Sequence, residues 1–140
     1  MSPERLLLDA TFVAGYLNPR DQHHAEAVKR LPQVKAASEV VITEAVLIEV
    51  GNLLHVPQHR PRAAEFIETC YVTDNITVVP VDTDLLKRAL AFYRQHDDKS
   101  WGLTDCISFV VMRDRGLTIA ATADSDFQQA GFRALMLEPS

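Results

Sequence analysis

Short apolar runs alternate along the chain with longer segments whose apolar residues recur at helical spacing. The strand-like runs are Leu6–Leu8, Val40–Ile42, Ile76–Val81 and Leu117–Ala121, with a weaker fifth at Ala134–Leu137. The helical segments are Thr11–Leu17, Gln22–Leu31, Glu44–Leu54, Pro61–Cys70, Thr83–His96 and Thr104–Arg115. Because the strands are continuous apolar runs, the pattern predicts a mostly parallel sheet of four to five strands. Helices on both faces would make a three-layer α/β/α sandwich.

Composition is that of an ordinary globular domain. The chain has 140 residues, 47% hydrophobic and 24% charged, so we expect a single domain over 1–140. Cys70 and Cys106 lie in apolar helical patterns and are predicted to be buried thiols in a reducing cytosol. No stretch approaches the roughly 20 apolar residues of a membrane span. The N-terminus lacks the pattern of a signal peptide. We therefore expect a cytoplasmic protein with no membrane partner.

The net charge of −5 argues against a simple nucleic-acid binder, because phosphate neutralisation needs Lys and Arg. A bound divalent cation would invert the local sign of an acidic site. Bulk charge alone therefore does not decide whether the protein binds nucleic acid.

Acidic residues follow the predicted strands at one edge of the sheet. In open α/β sheets, ligands bind beyond the carboxyl ends of the strands. Asp9 follows the first strand and Glu49 lies on the helix after the second. Asp105 is in the first turn of the helix before the fourth strand, and Asp124 follows that strand. Such carboxylates repel one another unless a cation holds them. Oxygen ligands without His or Cys clusters favour Mg²⁺, Mn²⁺ or Ca²⁺ over Zn²⁺.

Each of these acids also has a purely structural interpretation. Asp9 can cap the helix that starts near Thr11, and Glu49 can be a boundary residue that reaches solvent. Asp105 can be a helix cap, although Thr104 beside it can fill that position. Either Asp124 or its neighbour Asp126 can cap the following turn. A carboxylate next to an apolar stripe, as at Glu49, is costly without compensation, and this favours the metal interpretation.

Other polar residues fit structural roles. Asp82 precedes an apolar helix as a start signal. Glu44 points roughly 140° round the helix from Glu49 and is favourable to the helix dipole. Trp101 is interpreted as a packing residue. The five histidines do not cluster by spacing, and Gly-rich phosphate loops and Gly-x-Ser-x-Gly are absent from the sequence.

Four segments together resemble the acid motifs of PIN-domain proteins, and most of all the VapC-like toxins of bacterial toxin–antitoxin pairs. They are Leu8–Thr11, Thr43–Glu49, Asp97–Phe109 and Thr122–Phe132. The similarity runs from about Leu6 to Leu137. Each motif is short, but four in order within one domain are quite specific.

The resemblance implies a Mg²⁺- or Mn²⁺-dependent endoribonuclease, a homodimer and a cognate antitoxin protein. Carried over by position, the catalytic metal ligands are Asp9, Glu49, Asp105 and Asp124. Thr11 and Thr104 stand where the family often has a hydroxyl near the site. Ala10-Thr11 departs mildly from the commoner Thr-Ser, and Asp126 stands where many relatives have His or another polar residue, so its role is open.

The expected reaction is hydrolysis of RNA to a 5′-phosphate and a 3′-hydroxyl, with metal-bound water as nucleophile. Basic residues at the mouth of the site would steer the RNA backbone. The candidates are Arg20, Arg60, Arg62 and Lys99.

Three rival functions make different demands on the sequence. A receiver domain would use Asp82 as phosphoacceptor, but it should also show adjacent acids after the first strand and a late Lys, whereas Asp9 stands alone and Lys99 is the last lysine. A phosphatase with an Asp-x-Asp nucleophile pair fails because residue 11 is Thr. A PIN-like module that binds RNA or a partner without cutting it stays open.

Overall fold

Strands and helices alternate along the computed structural model, which describes residues 4–139. The strands are β1 (Arg5–Leu8), β2 (Glu39–Thr43), β3 (Ile76–Val79), β4 (Ile119–Ala121) and β5 (Arg133–Ala134). The α-helices are α1 (Ala10–Leu17), α2 (His24–Lys35), α3 (Glu44–Leu53), α4 (Arg60–Val72), α5 (Thr83–Gln95), α6 (Leu103–Arg115) and α7 (Asp126–Gln129). A 3₁₀ turn covers Leu135–Leu137. Residues 1–3 and 140 of the predicted domain lie outside the described part.

All five strands form one parallel sheet in the order β3-β2-β1-β4-β5. In register, Leu6 lies opposite Val40 and Leu8 lies opposite Ala121. The direction in which strands are added reverses between β1 and β4. Such a switch point leaves a crevice at the carboxyl ends of the two strands, where α/β proteins bind their ligands.

The sheet is buried on both faces, as the continuous apolar strands predict. Leu6 and Leu8 of β1 pack into one core with α1–α4. Leu7 faces the opposite core, which is built with α5, α6 and α7. The predicted three-layer α/β/α sandwich with a parallel sheet is confirmed. Both cysteines are buried free thiols, as expected.

Helix boundaries follow the expected signals. The Asp82 carboxylate accepts a hydrogen bond from the Leu85 N–H at 2.8 Å and caps α5. Thr43 caps α3 by accepting from the Val46 N–H at 3.1 Å. Gly116 ends α6 with φ +66°, the left-handed conformation in which a side chain would be strained.

Four local expectations differ from the structure. Only Ala134 of the expected fifth strand is extended, and 135–137 form a 3₁₀ turn. Helix α2 continues past Pro32 because Val34, one turn further on, is buried in the core. Helix α7 was not predicted, since its four residues are too few to show a period. Gly102, rather than Thr104, is the N-cap of α6.

None of the helices in the described part is long and apolar enough to cross a membrane.

Candidate active site

The four predicted acids all lie at the carboxyl edge of the sheet, around the switch point. Asp9 directly follows β1 and is the N-cap residue of α1. Asp124 lies in the turn between β4 and α7. Glu49 is on α3, and Asp105 is in the first turn of α6. These elements come from both helical layers, so the acids approach the crevice from both sides of the sheet.

Asp9 is only 3% exposed, and two threonine hydroxyls hold its carboxylate in place. Thr122 Oγ1 donates to Asp9 Oδ2 at 2.7 Å, and Thr11 Oγ1 donates to the same oxygen at 3.0 Å. The two hydroxyl oxygens are 3.1 Å apart. Each hydroxyl has a single hydrogen. Because both hydrogens are used on Asp9, the close approach of the two threonines is not a further hydrogen bond.

The same hydroxyls accept hydrogen bonds from the backbone beyond β4. The Ala123 N–H donates to Thr11 Oγ1, and the Asp124 N–H donates to Thr122 Oγ1, both at 3.0 Å. This network joins the end of β1 to the turn that carries Asp124. Both threonine hydroxyls bond to Asp9 Oδ2, and the backbone N–H groups of Ala10 and Thr11 also donate to the Asp9 carboxylate.

Asp105, Asp124 and Asp126 form the tightest acidic group in the described part of the chain. One carboxylate oxygen from each lies within 4.8 Å of the other two. Asp124 Oδ1 accepts a hydrogen bond from the Asp126 N–H at 2.8 Å, which fixes the turn. Asp126, whose role the sequence left open, therefore faces the same space as Asp105 and Asp124.

Burial opposes the ionisation of Asp9, Glu49 and Asp105, and repulsion by neighbouring carboxylates adds to it at Glu49 and Asp105. Burial, followed by the negative charges of neighbouring carboxylates, raises the pKa of Asp105 to about 8. The neighbours responsible are Asp9, Asp124, Glu49 and Asp126. Burial also raises the pKa of Glu49, with Asp9 and Asp124 adding to the effect. At Asp9, burial outweighs the hydrogen bonds from Thr122 and Thr11, and the pKa is again raised.

The donor set fits a divalent cation. It consists of carboxylates alone, which are the ligands that Mg²⁺ and Mn²⁺ prefer. Neighbouring carboxylates raise the pKa values of Glu49 and Asp105 in addition to burial, and a bound cation would offset this repulsion. The site thus has both the ligand chemistry and the electrostatic need for a metal ion.

The chain is similar in sequence to a known family and to known proteins. Residues 6–133 match the PIN domain family. The chain belongs to the PIN-domain family. This PIN domain is 32% identical over 127 residues to the 23S rRNA-specific endonuclease VapC20 of Mycobacterium tuberculosis strain CDC 1551 / Oshkosh. That alignment covers 91% of this chain and 95% of the relative. The figures are the same for VapC20 of strain ATCC 25618 / H37Rv.

A solved structure gives the same answer. The crystal structure of Mycobacterium tuberculosis VapC20, a sarcin-ricin loop cleaving toxin, matches this PIN domain with a TM-score of 0.80 and 28% identity. The match covers 91% of this chain and 95% of that chain. These comparisons confirm the predicted family, its VapC-like character and the fold. The toxin endoribonuclease predicted from the sequence is the function that these relatives carry.

Sequence reasoning missed one residue of the PIN site. Thr122 is fully buried and bonds to Asp9, but it was seen only as part of the segment around Asp124. Its place directly after β4, beside the end of β1, would have been the signal. The Thr104 side chain makes no hydrogen bond within residues 4–139, unlike that of Thr11. Glu44 lies away from the site and accepts a hydrogen bond from the Tyr71 hydroxyl at 2.7 Å.

Proposed function

We propose that this PIN domain is a divalent-metal-dependent endoribonuclease and the toxin of a toxin–antitoxin pair. The observation that carries the proposal is the convergence of Asp9, Glu49, Asp105 and Asp124 at the switch point, where each of the first three has its pKa raised. Family membership and the VapC20 relatives support the same conclusion.

The ion would be held by Asp9, Asp105 and Asp124, with Glu49 and Asp126 alongside. When bound, Mg²⁺ or Mn²⁺ supplies a water of lowered pKa and positive charge for the scissile phosphate and its leaving oxygen. Thr11 and Thr122 orient the Asp9 carboxylate, and the buried position of Asp9 keeps bulk water from it. The chain itself needs no nucleophilic side chain.

Ribosomal RNA is the first substrate to test, because VapC20 is named for its action on 23S rRNA. The assay uses a synthetic RNA hairpin with the sarcin-ricin loop sequence, in Mn²⁺ or Mg²⁺ and again in EDTA, with transfer RNA in parallel. We expect cleavage only with metal, products ending in 5′-phosphate and 3′-hydroxyl, and none from Asp105→Asn. Binding of these RNAs without metal-dependent cleavage would instead favour the non-catalytic module.

The partners and location belong to the same proposal. The VapC-like resemblance implies a cognate antitoxin and a homodimer, in the cytoplasm and without a membrane partner. Growth arrest on expression of the chain, relieved by co-expression of the neighbouring small reading frame, supports the toxin role. Unimpaired growth with active, soluble protein would contradict it. Light scattering of the purified chain tests the dimer.

A further inference from the structure

A second concave feature lies beside the acidic site, between the end of α5 and the start of α6. It is a cavity of about 620 Å³. Its lining combines cationic, aromatic and small polar residues, namely Tyr93, Arg94, His96, Lys99, Trp101 and Gly102, with Asp97, Ser100 and Cys106. We call it the α5–α6 cavity. Its size is within the range of pockets that hold small ligands, roughly 300–1,000 Å³.

Gly102 connects the α5–α6 cavity to the acidic site. A Cβ atom at Gly102 would lie 4.0 Å from Asp105 Oδ2, so the wall of the cavity comes close to that carboxylate. Cys106, which follows Asp105 on α6, is also part of the wall. A chain-like ligand with one unit at the carboxylates would therefore place a neighbouring unit in the cavity.

The charge of the cavity is opposite to that of the acidic site. The lining has two cationic side chains, Arg94 and Lys99, and one carboxylate, Asp97. The whole chain, by contrast, has a net charge of −5. The Arg94 side chain makes no ion pair or hydrogen bond in the described part. Lys99 is 3.8 Å from Asp98 and 6.0 Å from the Trp101 ring centroid, both at the outer limit of such contacts. Two cations are thus available to an anionic ligand.

The wall of the cavity is rigid and offers a ring nitrogen. Trp101 packs edge-on to Phe109 at 5.2 Å, and its indole N–H donates to Gln129 at 3.2 Å. His96 lies 5.1 Å from the Trp101 ring, and its Nδ1–H donates to the Phe92 carbonyl at 2.8 Å. Because Nδ1 is the donor, Nε2 of neutral His96 is an acceptor for a ligand. Tyr93, 45% exposed, offers an aromatic face at the rim.

We propose that the α5–α6 cavity is a nucleotide subsite, which binds the residue of single-stranded RNA next to the scissile phosphate; this rests on the proposed ribonuclease function. Arg94 and Lys99 bind the backbone phosphate, Tyr93 stacks on the base, and His96 and Ser100 face its polar edge. Single-stranded RNA is recognised through this combination of cations, stacking and edge hydrogen bonds. Of the four cations named from the sequence, Lys99 is the one assigned here.

Binding is tested apart from cleavage, with a fluorescent 12-nucleotide oligouridylate and the Asp105→Asn protein in EDTA. Added to that background, Arg94→Ala/Lys99→Ala should weaken binding about tenfold or more. The slope of log affinity against log salt should fall by about 0.7, since the two cations share one phosphate and each phosphate contact on a single strand contributes about 0.7. Lys35→Ala/Lys87→Ala, with the same change of net charge at exposed lysines elsewhere, should bind like the background protein.

Stacking and catalysis supply two further measurements. Tyr93→Ala should weaken oligouridylate binding at least fivefold, and Tyr93→Phe should restore it, because the ring rather than the hydroxyl stacks. On a cleavable RNA hairpin, Arg94→Ala/Lys99→Ala should raise KM at least tenfold and leave kcat within about threefold, since the metal-binding acids are intact.

The outcomes separate this proposal from the proposed function. The subsite is overturned if the oligonucleotide does not bind, or if Arg94→Ala/Lys99→Ala behaves as the lysine control does. If RNA binding depends on Arg94 and Lys99 but no RNA is cut with metal present, the subsite stands and the nuclease function fails. If RNA is cut with metal present but the KM is unchanged in Arg94→Ala/Lys99→Ala, the nuclease function stands and the subsite is overturned.

Discussion

The Thr122 hydroxyl donates a 2.7 Å hydrogen bond to Asp9 Oδ2, although the two residues are 113 positions apart. The bond is fully buried and is reinforced by the Asp124 N–H, which donates to the same hydroxyl. Thr122 therefore links two of the proposed metal ligands. Mutation of a residue that orients a ligating carboxylate commonly lowers metal affinity or activity 10–100-fold.

Thr122→Val tests this link. Valine has nearly the same shape but neither donates to Asp9 nor accepts from Asp124, so ribonuclease activity should fall about 10–100-fold. The loss of buried hydrogen bonds should lower the free energy of unfolding by about 1–3 kcal/mol. Steady-state cleavage and urea unfolding measure the two effects. Thr118→Val makes the same change at an exposed position and should alter neither; equal activity of both variants would remove Thr122 from the site.

Asp105→Asn should stabilise the metal-free protein while abolishing cleavage. Because the folded-state pKa is about 8, against 3.8 ordinarily, ionised Asp105 opposes folding, and this cost develops as pH rises from about 4 through 8. Asparagine does not ionise. At pH 9 we expect a gain on the order of 2 kcal/mol, or about 6 °C in Tm, in EDTA. The gain should fall to about a third of that value at pH 5, and the same gain at both pH values would contradict the argument.

Metal affinity should increase with pH. A proton on Asp105 competes with the cation, since a carboxylate must be ionised to bind a metal. With a pKa of about 8 in the metal-free protein, each unit of pH below 8 should weaken the apparent Mn²⁺ affinity by up to tenfold. Titration calorimetry at pH 6, 7 and 8 in buffers of different ionisation enthalpy measures both the affinity and the released proton. A flat affinity with no proton release would argue against Asp105 as a ligand.

Asp126 is expected to contribute to metal binding because its carboxylate lies beside those of Asp105 and Asp124. Asp126→Asn keeps the backbone N–H that bonds to Asp124 and removes one of the three clustered carboxylates. We expect Mn²⁺ affinity to fall about tenfold, with a smaller loss at saturating metal. Asp74→Asn, at an exposed acid outside the site, is the matched control. Indistinguishable affinities for the two variants would leave Asp126 as a turn residue.

The sequence predicted what depends on local pattern and on the general geometry of parallel sheets. Asp9 follows an apolar strand, and such ends meet at one edge whatever the strand order. Thr122 and Asp126 were not assigned because their direction depends on a short turn, whose conformation carries no periodic signal. The sequence predicts too early an end for helix α2, because Pro32 disfavours a helix locally. The burial of Val34 is a tertiary effect that outweighs this preference.

The pairing of β1 with β4 also determines when during synthesis the acidic site can be completed. Asp9 leaves the ribosome early, but Thr122, which bonds to it, and Asp124 are made only near the end of synthesis. A nascent chain halted before that point has no complete cutting centre. The proposed ribonuclease site would thus be incomplete for most of the chain's own synthesis.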